Sequence, residues 1–194
     1  CNGDASIDDG LDAIEAAMAA HPWPEARPLI IHAQMTRKDQ IDRMAELGVT
    51  PSFFSAHTYY WGDRHAAIFM GPERAANMSP ARWALDAGVR FSSHLDTPVT
   101  PMLPLQAVWS QVKRESTGGV VIGPAQRIGR VPALRAVTID AAWQVFMDDE
   151  IGSIEPGKRA DLVVLSENPL TAEDIRGIKV DRTVIDGATV YARL

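Results

Sequence analysis

Three positions in this sequence combine reactive side chains with a suggestive placement. His32 closes the short apolar run Leu29-Ile30-Ile31, His57 follows the run Val49 to Phe54, and Asp96 comes just after Val89 to Ser92. Where such runs are parallel strands, side chains at their C-terminal ends gather on one face. Imidazole and carboxylate ligands from successive strand ends could share one divalent ion, zinc being the commonest for that set. Each also has a plainer reading alone. A histidine after a strand can be a hydrogen-bonded structural residue, and Asp96 before Thr97-Pro98 can be a turn or cap residue. His94 and the Tyr59, Tyr60, Trp61 cluster either line a pocket or pack locally. His21, beside prolines, and His65, after Arg64, read as surface residues.

Cys1 allows a second chemistry, that of an N-terminal nucleophile, although nothing nearby in sequence supplies a base. A lipoprotein beginning at its cysteine, and a chain entered in the middle of a domain, are the other readings of that position. Ser6 with Asp9 forms a capping-box pattern, and Ile7, Leu11, Ile14 and Met18 make one helical stripe directly behind it. A packed helix so close to Cys1 favours the chain entered mid-domain. Gly118-Gly119 and Gly123 lack the strand–glycine–helix setting of a dinucleotide loop. No Gly-x-Ser-x-Gly elbow occurs, which disfavours a serine hydrolase.

The elements that must position these residues alternate. A first helix over residues 7–20 stops at His21-Pro22-Trp23-Pro24, where proline forbids continuation. Leu29 to Ile31 is too short for a helix and suits a buried parallel strand. Thr36 with Asp39 repeats the cap pattern ahead of a helix that ends at Gly48. Val49 to Phe54 is the next strand, followed by a loop at 57–63. Ser79-Pro80 opens another helix, ended by Gly88. Val89 to Ser92 is the third strand, Pro104 to Glu115 is helical, 116–130 is a long loop, and Pro132 to Phe146 is one amphipathic helix. Strand–helix repetition of this kind means a parallel α/β architecture. From Glu150 the texture changes to short β runs at Leu162 to Leu165, Lys179 to Ile185 and Thr189 to Tyr191, with Asp186-Gly187 as a two-residue hairpin signal. The chain therefore divides into an α/β part, 1–149, and a small β part, 150–194, that needs strands from elsewhere.

Composition removes several classes. The 194 residues carry 19 Lys+Arg against 25 Asp+Glu, a net charge of −6 without any basic run. That argues against nucleic acid or an anionic membrane as partner. No apolar stretch approaches the ~18–20 residues of a membrane span. A single cysteine rules out a disulfide framework within the chain and, with no targeting segment in view, fits the cytoplasm.

Residues 151–165, Ile-Gly-Ser-Ile-Glu-Pro-Gly-Lys-Arg-Ala-Asp-Leu-Val-Val-Leu, resemble the closing signature of the amidohydrolase superfamily, and Ser166-Glu167-Asn168-Pro169-Leu170 continues the likeness. Asn2-Gly3-Asp4-Ala5, Ile31-His32-Ala33-Gln34 and His94-Leu95-Asp96-Thr97-Pro98-Val99 resemble motifs of the subfamily related to N-substituted formamide deformylases. The resemblance covers nearly the whole chain. It implies the C-terminal part of a TIM (β/α)8 barrel, about the last three strand–helix units, followed by a C-terminal portion of a small β-sandwich.

The resemblance also implies roles. His32 would be a metal ligand on the sixth strand. Asp96 would be the catalytic aspartate of the eighth, binding metal and passing a proton from water to the leaving amine. His57, His94, Tyr59 and Trp61 would contact a small amide-type substrate, though His94 departs from the smaller residue often found before the aspartate. A full barrel has eight units and typically ~250 residues. The family's first-strand His-x-His pair, its fourth-strand lysine or carboxylate and its fifth-strand histidine are not in this chain. Two ligands fall short of the three or four that zinc normally takes. The expectation is thus a metal-dependent hydrolase of carbon–nitrogen bonds, present as a C-terminal piece and inactive alone. The alternative is a non-catalytic half-barrel that self-associates through its open strand edges.

Overall fold

A computed structural model describes residues 1–194. Strands β1 (Leu29–His32), β2 (Thr50–Phe53) and β3 (Ser92–Ser93) form a parallel sheet in that order. Leu29 pairs with Thr50 and His32 with Phe53, while Ser52 pairs with Ser92 and Phe53 with Ser93. Parallel neighbours need long crossovers. The first is α2 (Lys38–Leu47). The second comprises α3 (His57–Arg64), a π-helical turn at His65–Phe69, α4 (Pro72–Ala76) and α5 (Ala81–Asp86). Helix α1 (Asp4–Ala20) precedes the sheet; α6 (Pro104–Lys113), α7 (Arg130–Arg135) and α8 (Ile139–Gln144) follow it. No helix is long and apolar enough to cross a membrane.

The core lies between this sheet and its helices. Ile7 and Leu11 of α1, Ile41 and Met44 of α2, Phe53 of β2 and Val108 of α6 are fully buried in one cluster. Of the helical stripe expected behind Cys1, Ile7 and Leu11 are buried and Ile14 packs partly against the core, whereas Met18 lies outside it. Its start differs from expectation: α1 begins at Asp4 with Gly3 as N-cap, and the Ser6 hydroxyl donates to Gly3 O instead of capping. At α2 the cap shifts one residue, to Arg37, whose backbone N–H donates to the Gln40 side chain at 2.9 Å. The left-handed backbone of His32 (φ 72°) and Ala33 (φ 45°) turns the chain sharply after β1, and Thr36 is used to brace that turn by donating to Ala33 O at 2.7 Å.

Two larger expectations change. The aromatic segment from His57 is helix, not loop. It lacks a one-sided apolar period because both its faces are covered, Tyr59 meeting Trp109 and Trp61 meeting Phe54. The single helix expected over Pro132 to Phe146 is two. Thr138, at φ −130° and ψ −104°, breaks it within the β-branched run Val137-Thr138-Ile139, where branched side chains weaken the helix.

The small β part is an antiparallel sheet of β4 (Leu162–Leu165), β5 (Val180–Ile185) and β6 (Ala188–Ala192). Asp186 (φ 52°) and Gly187 (φ 79°) both adopt the positive φ that a tight hairpin requires. This sheet is anchored through its lead-in. Ile175 and Ile178 enter the main core, and the Arg176 guanidinium lies 3.8 Å from the Trp109 ring centre on α6.

Candidate metal centre

Because the three strands run parallel and in register, their C-terminal ends share an edge of the sheet. β1 delivers His32 there, the segment after β2 delivers Phe54 and His57, and the turn after β3 delivers His94 and Asp96. His32 and Asp96 both hold left-handed backbone, at φ 72° and 54°. Such φ values are uncommon outside glycine and cluster at functional sites. Here they swing both side chains toward one point, leaving His32 Nε2 3.5 Å from Asp96 Oδ2. His32, His94 and Asp96 each offer a ligand atom within 4.8 Å of the others.

His94 Nε2 lies 3.2 Å from His32 Nδ1, and its Nδ1 lies 3.0 Å from Ser52 Oγ. Burial is the main influence that pushes the His94 pKa down to about 4, with the neighbouring His32 acting the same way, so His94 is neutral at physiological pH. His57 is deeper still. Its ring stacks obliquely on Phe54 at 4.1 Å and sits 6.0 Å from His32. Burial first, and then the nearby histidines, push its pKa down to about 3.

The expected substrate contacts separate in space. Trp61 lies beside His57, ring centres 5.5 Å apart. Tyr59 turns the other way, edge-on to Trp109 and beneath Arg176; a residue two positions from Trp61 on a helix cannot share its face. Both ring nitrogens of His94 have hydrogen-bond partners within the protein, and His94 lines a cavity together with Asp96. His65 is the residue that its charged flank concealed. It is half-buried, its Nε2 is 2.9 Å from Gln34 Nε2, and its ring meets His57 at 5.8 Å. The spacing of four residues along His57, Trp61, His65 and Phe69 was the available signal. Cys1 is exposed, and no imidazole or carboxylate hydrogen-bonds its thiol; its amino group donates to Ile31 O.

The donor set fits a divalent ion. Two ligands each about 2.0–2.2 Å from zinc at a tetrahedral angle stand roughly 3.3–3.6 Å apart. His32 Nε2 and Asp96 Oδ2 have that separation without rearrangement.

Residues 1–191 match the sequence profile of the amidohydrolase family. The chain belongs to that family. It is 33% identical over 193 residues to the N-substituted formamide deformylase of Arthrobacter pascens, a match that takes in 98% of this chain and 35% of that enzyme. It is 33% identical over 168 residues to protein LONG AFTER FAR-RED 3 of Arabidopsis thaliana, across 86% of this chain and 29% of the plant protein. Among solved structures, an uncharacterized metal-dependent hydrolase from Pyrococcus furiosus superposes with a TM-score of 0.69 at 26% identity, over 88% of this chain and 33% of the other. The chain thus spans about a third of the length of the relatives it matches.

Proposed function

We propose that this amidohydrolase-family chain contributes His32 and Asp96 to the metal centre of a hydrolase that cleaves carbon–nitrogen bonds of non-peptide amide type. The observation that carries this reading is the convergence of His32 Nε2 and Asp96 Oδ2 at 3.5 Å from two left-handed strand ends. In the same reading the parallel part is the closing arc of a (β/α)8 barrel, and β4 to β6 are half of a β-sandwich.

A divalent ion held by these atoms, zinc by the chemistry of the ligands, would polarise a carbonyl and lower the pKa of a water toward ~7. Asp96, holding the ion through one carboxylate oxygen, would take the proton from that water on its other oxygen and return it to the departing amine nitrogen, acting first as base and then as acid. His57, held neutral by burial, and Trp61 form the wall beside that centre. Trp61 would receive an apolar or aromatic substituent of the substrate. The chain's own pair of ligands is fewer than zinc normally takes, so the 194 residues by themselves are expected to bind metal weakly and to be inactive.

The test is amine release from N-substituted formamides and other small amides by the complete product of the gene. The expected result is metal-dependent hydrolysis that Asp96→Asn lowers by roughly 10²–10⁴. Hydrolysis that survives both metal removal and that substitution would overturn the reading. Association of copies belongs to the same proposal, because β1 and β3 are sheet edges and Val163, Val164 and Val190 are at least half exposed on the second sheet. Sedimentation of the chain as a monomer at tens of micromolar would count against it.

A further inference from the structure

One line of polar contacts in the centre is used by neither ligand binding nor substrate contact. Ser92 Oγ donates to Ser52 Oγ at 2.8 Å, Ser52 Oγ meets His94 Nδ1 at 3.0 Å, and His94 Nε2 meets His32 Nδ1 at 3.2 Å. The other nitrogen of His32 faces Asp96 Oδ2 at 3.5 Å. Ser52 and Ser92 are buried on adjacent strands, so this line runs from the interior of the sheet to the metal-facing carboxylate.

We propose that His94 is a positioning residue: it sets the tautomer and ring plane of His32, and Ser52 sets His94 in turn. The inference rests on the metal reading above. A neutral imidazole carries one N–H and one lone pair. For His32 to give its Nε2 lone pair to an ion, its proton must sit on Nδ1, and the hydrogen-bonding atom in the structure that faces Nδ1 is His94 Nε2. His94 then accepts at Nε2 and carries its own proton on Nδ1, donating it to Ser52 Oγ. A serine oxygen has two lone pairs, so Ser52 accepts this proton together with the one from Ser92.

Without an ion the opposite order is favoured. His32 Nε2 would otherwise aim a lone pair at the Asp96 carboxylate, so its proton belongs on that nitrogen. His32 Nδ1 then accepts from His94 Nε2–H, and His94 Nδ1 accepts from the Ser52 hydroxyl. Both orders contain the same number of protons and satisfy both ring nitrogens of each histidine; in the metal-bound order the Ser52 hydroxyl hydrogen turns away from His94. Loading the centre therefore reverses the direction of the whole relay, moving one proton from Nε2 to Nδ1 on each ring. Ligating histidines are oriented by such outer partners, whose loss typically weakens metal binding 10–100-fold. A second imidazole serves here because it can accept in one state and donate in the other.

Two-bond ¹H–¹⁵N correlation spectra of the complete gene product, without metal and then with saturating zinc chloride, read the tautomers directly. The expected result is Nε2–H on both His32 and His94 without zinc, and Nδ1–H on both with it. In zinc titrations, Ser52→Ala should weaken binding about 10-fold, Ser52→Thr should restore it, and His94→Phe should weaken it by 10–100-fold. Zinc that binds while His94 stays protonated at Nε2, or a His94→Phe chain with unchanged zinc affinity, overturns this proposal and leaves the metal reading intact. A complete wild-type gene product that takes up no zinc overturns the metal reading and the positioning role with it.

Discussion

The two sheets of this chain are each three-stranded, yet they treat polar atoms and apolar surface in opposite ways. At the ends of β1 to β3, serines, histidines and an aspartate are packed against one another, with Ser52, Ser92 and His57 buried and Phe53 wholly enclosed beneath them. Along β4 to β6, valines and a tyrosine stand half exposed, and β6 is exposed over its whole length. Buried polar groups demand partners and fix geometry, whereas an open sheet face demands neither. Precision is concentrated in the first sheet. The second is held on by the Ile175, Ile178 and Arg176 anchor against α6, and its own strands add little to the core.

The contrast can be broken in a definite order. Phe53→Ala should cost the most, about 3–5 kcal/mol, because a fully enclosed ring leaves a cavity; denaturant midpoints would show it. Arg114→Met should follow at roughly 3 kcal/mol. That guanidinium is 2% exposed and donates to the carbonyls of Ile122, Met78, Ser79 and Ala76, and each unpaired buried carbonyl costs about 1–3 kcal/mol. Burial pulls its pKa down to about 9, which still leaves it charged at neutral pH. A loss below 1 kcal/mol for either variant would show that the first region is not the precisely packed one.

Acid should act on the same region. Burial lowers the folded pKa of His57 to about 3, against an ordinary 6.5. Between those values the unfolded chain holds a proton that the folded chain refuses. Its contribution is therefore complete above 6.5 and is lost as the pH falls below it, by about 1.4 kcal/mol per pH unit. His94 acts in the same direction. Comparing unfolding at pH 7 and pH 5 in wild type and His57→Asn checks this; equal pH slopes would contradict it. Arg176→Ala should loosen the second sheet by about 0.5–2 kcal/mol through the lost contact with Trp109. Val190→Thr, on the open face, should change stability by less than about 0.5 kcal/mol.

Much of the first region was legible because its signals are local. Short apolar runs ending in His32 and leading to Asp96 marked strand ends, and parallel order placed those ends together. His65, Ser52 and Arg114 were not legible. Arg64 beside His65 suggested solvent, whereas Gln34 and His57 enclose it from other elements. Ser52 acquires a role only through the Ser52–Ser92 register, a property of pairing and not of either strand. Arg114 sits at a positive φ of 51° just past α6, where a charged residue reads as a surface cap until the carbonyls of residues 76–79 fold over it. Tyr59 and Trp61 looked alike in sequence, and only the helix separated them.

His32 and Asp96 share one divalent ion in the proposed centre, and equilibrium dialysis of the complete gene product against zinc chloride tests this most directly. The expected result is zinc binding by that product, with the affinity falling at least about tenfold in either His32→Asn or Asp96→Asn. Equal zinc affinity in the complete product carrying both substitutions would contradict it.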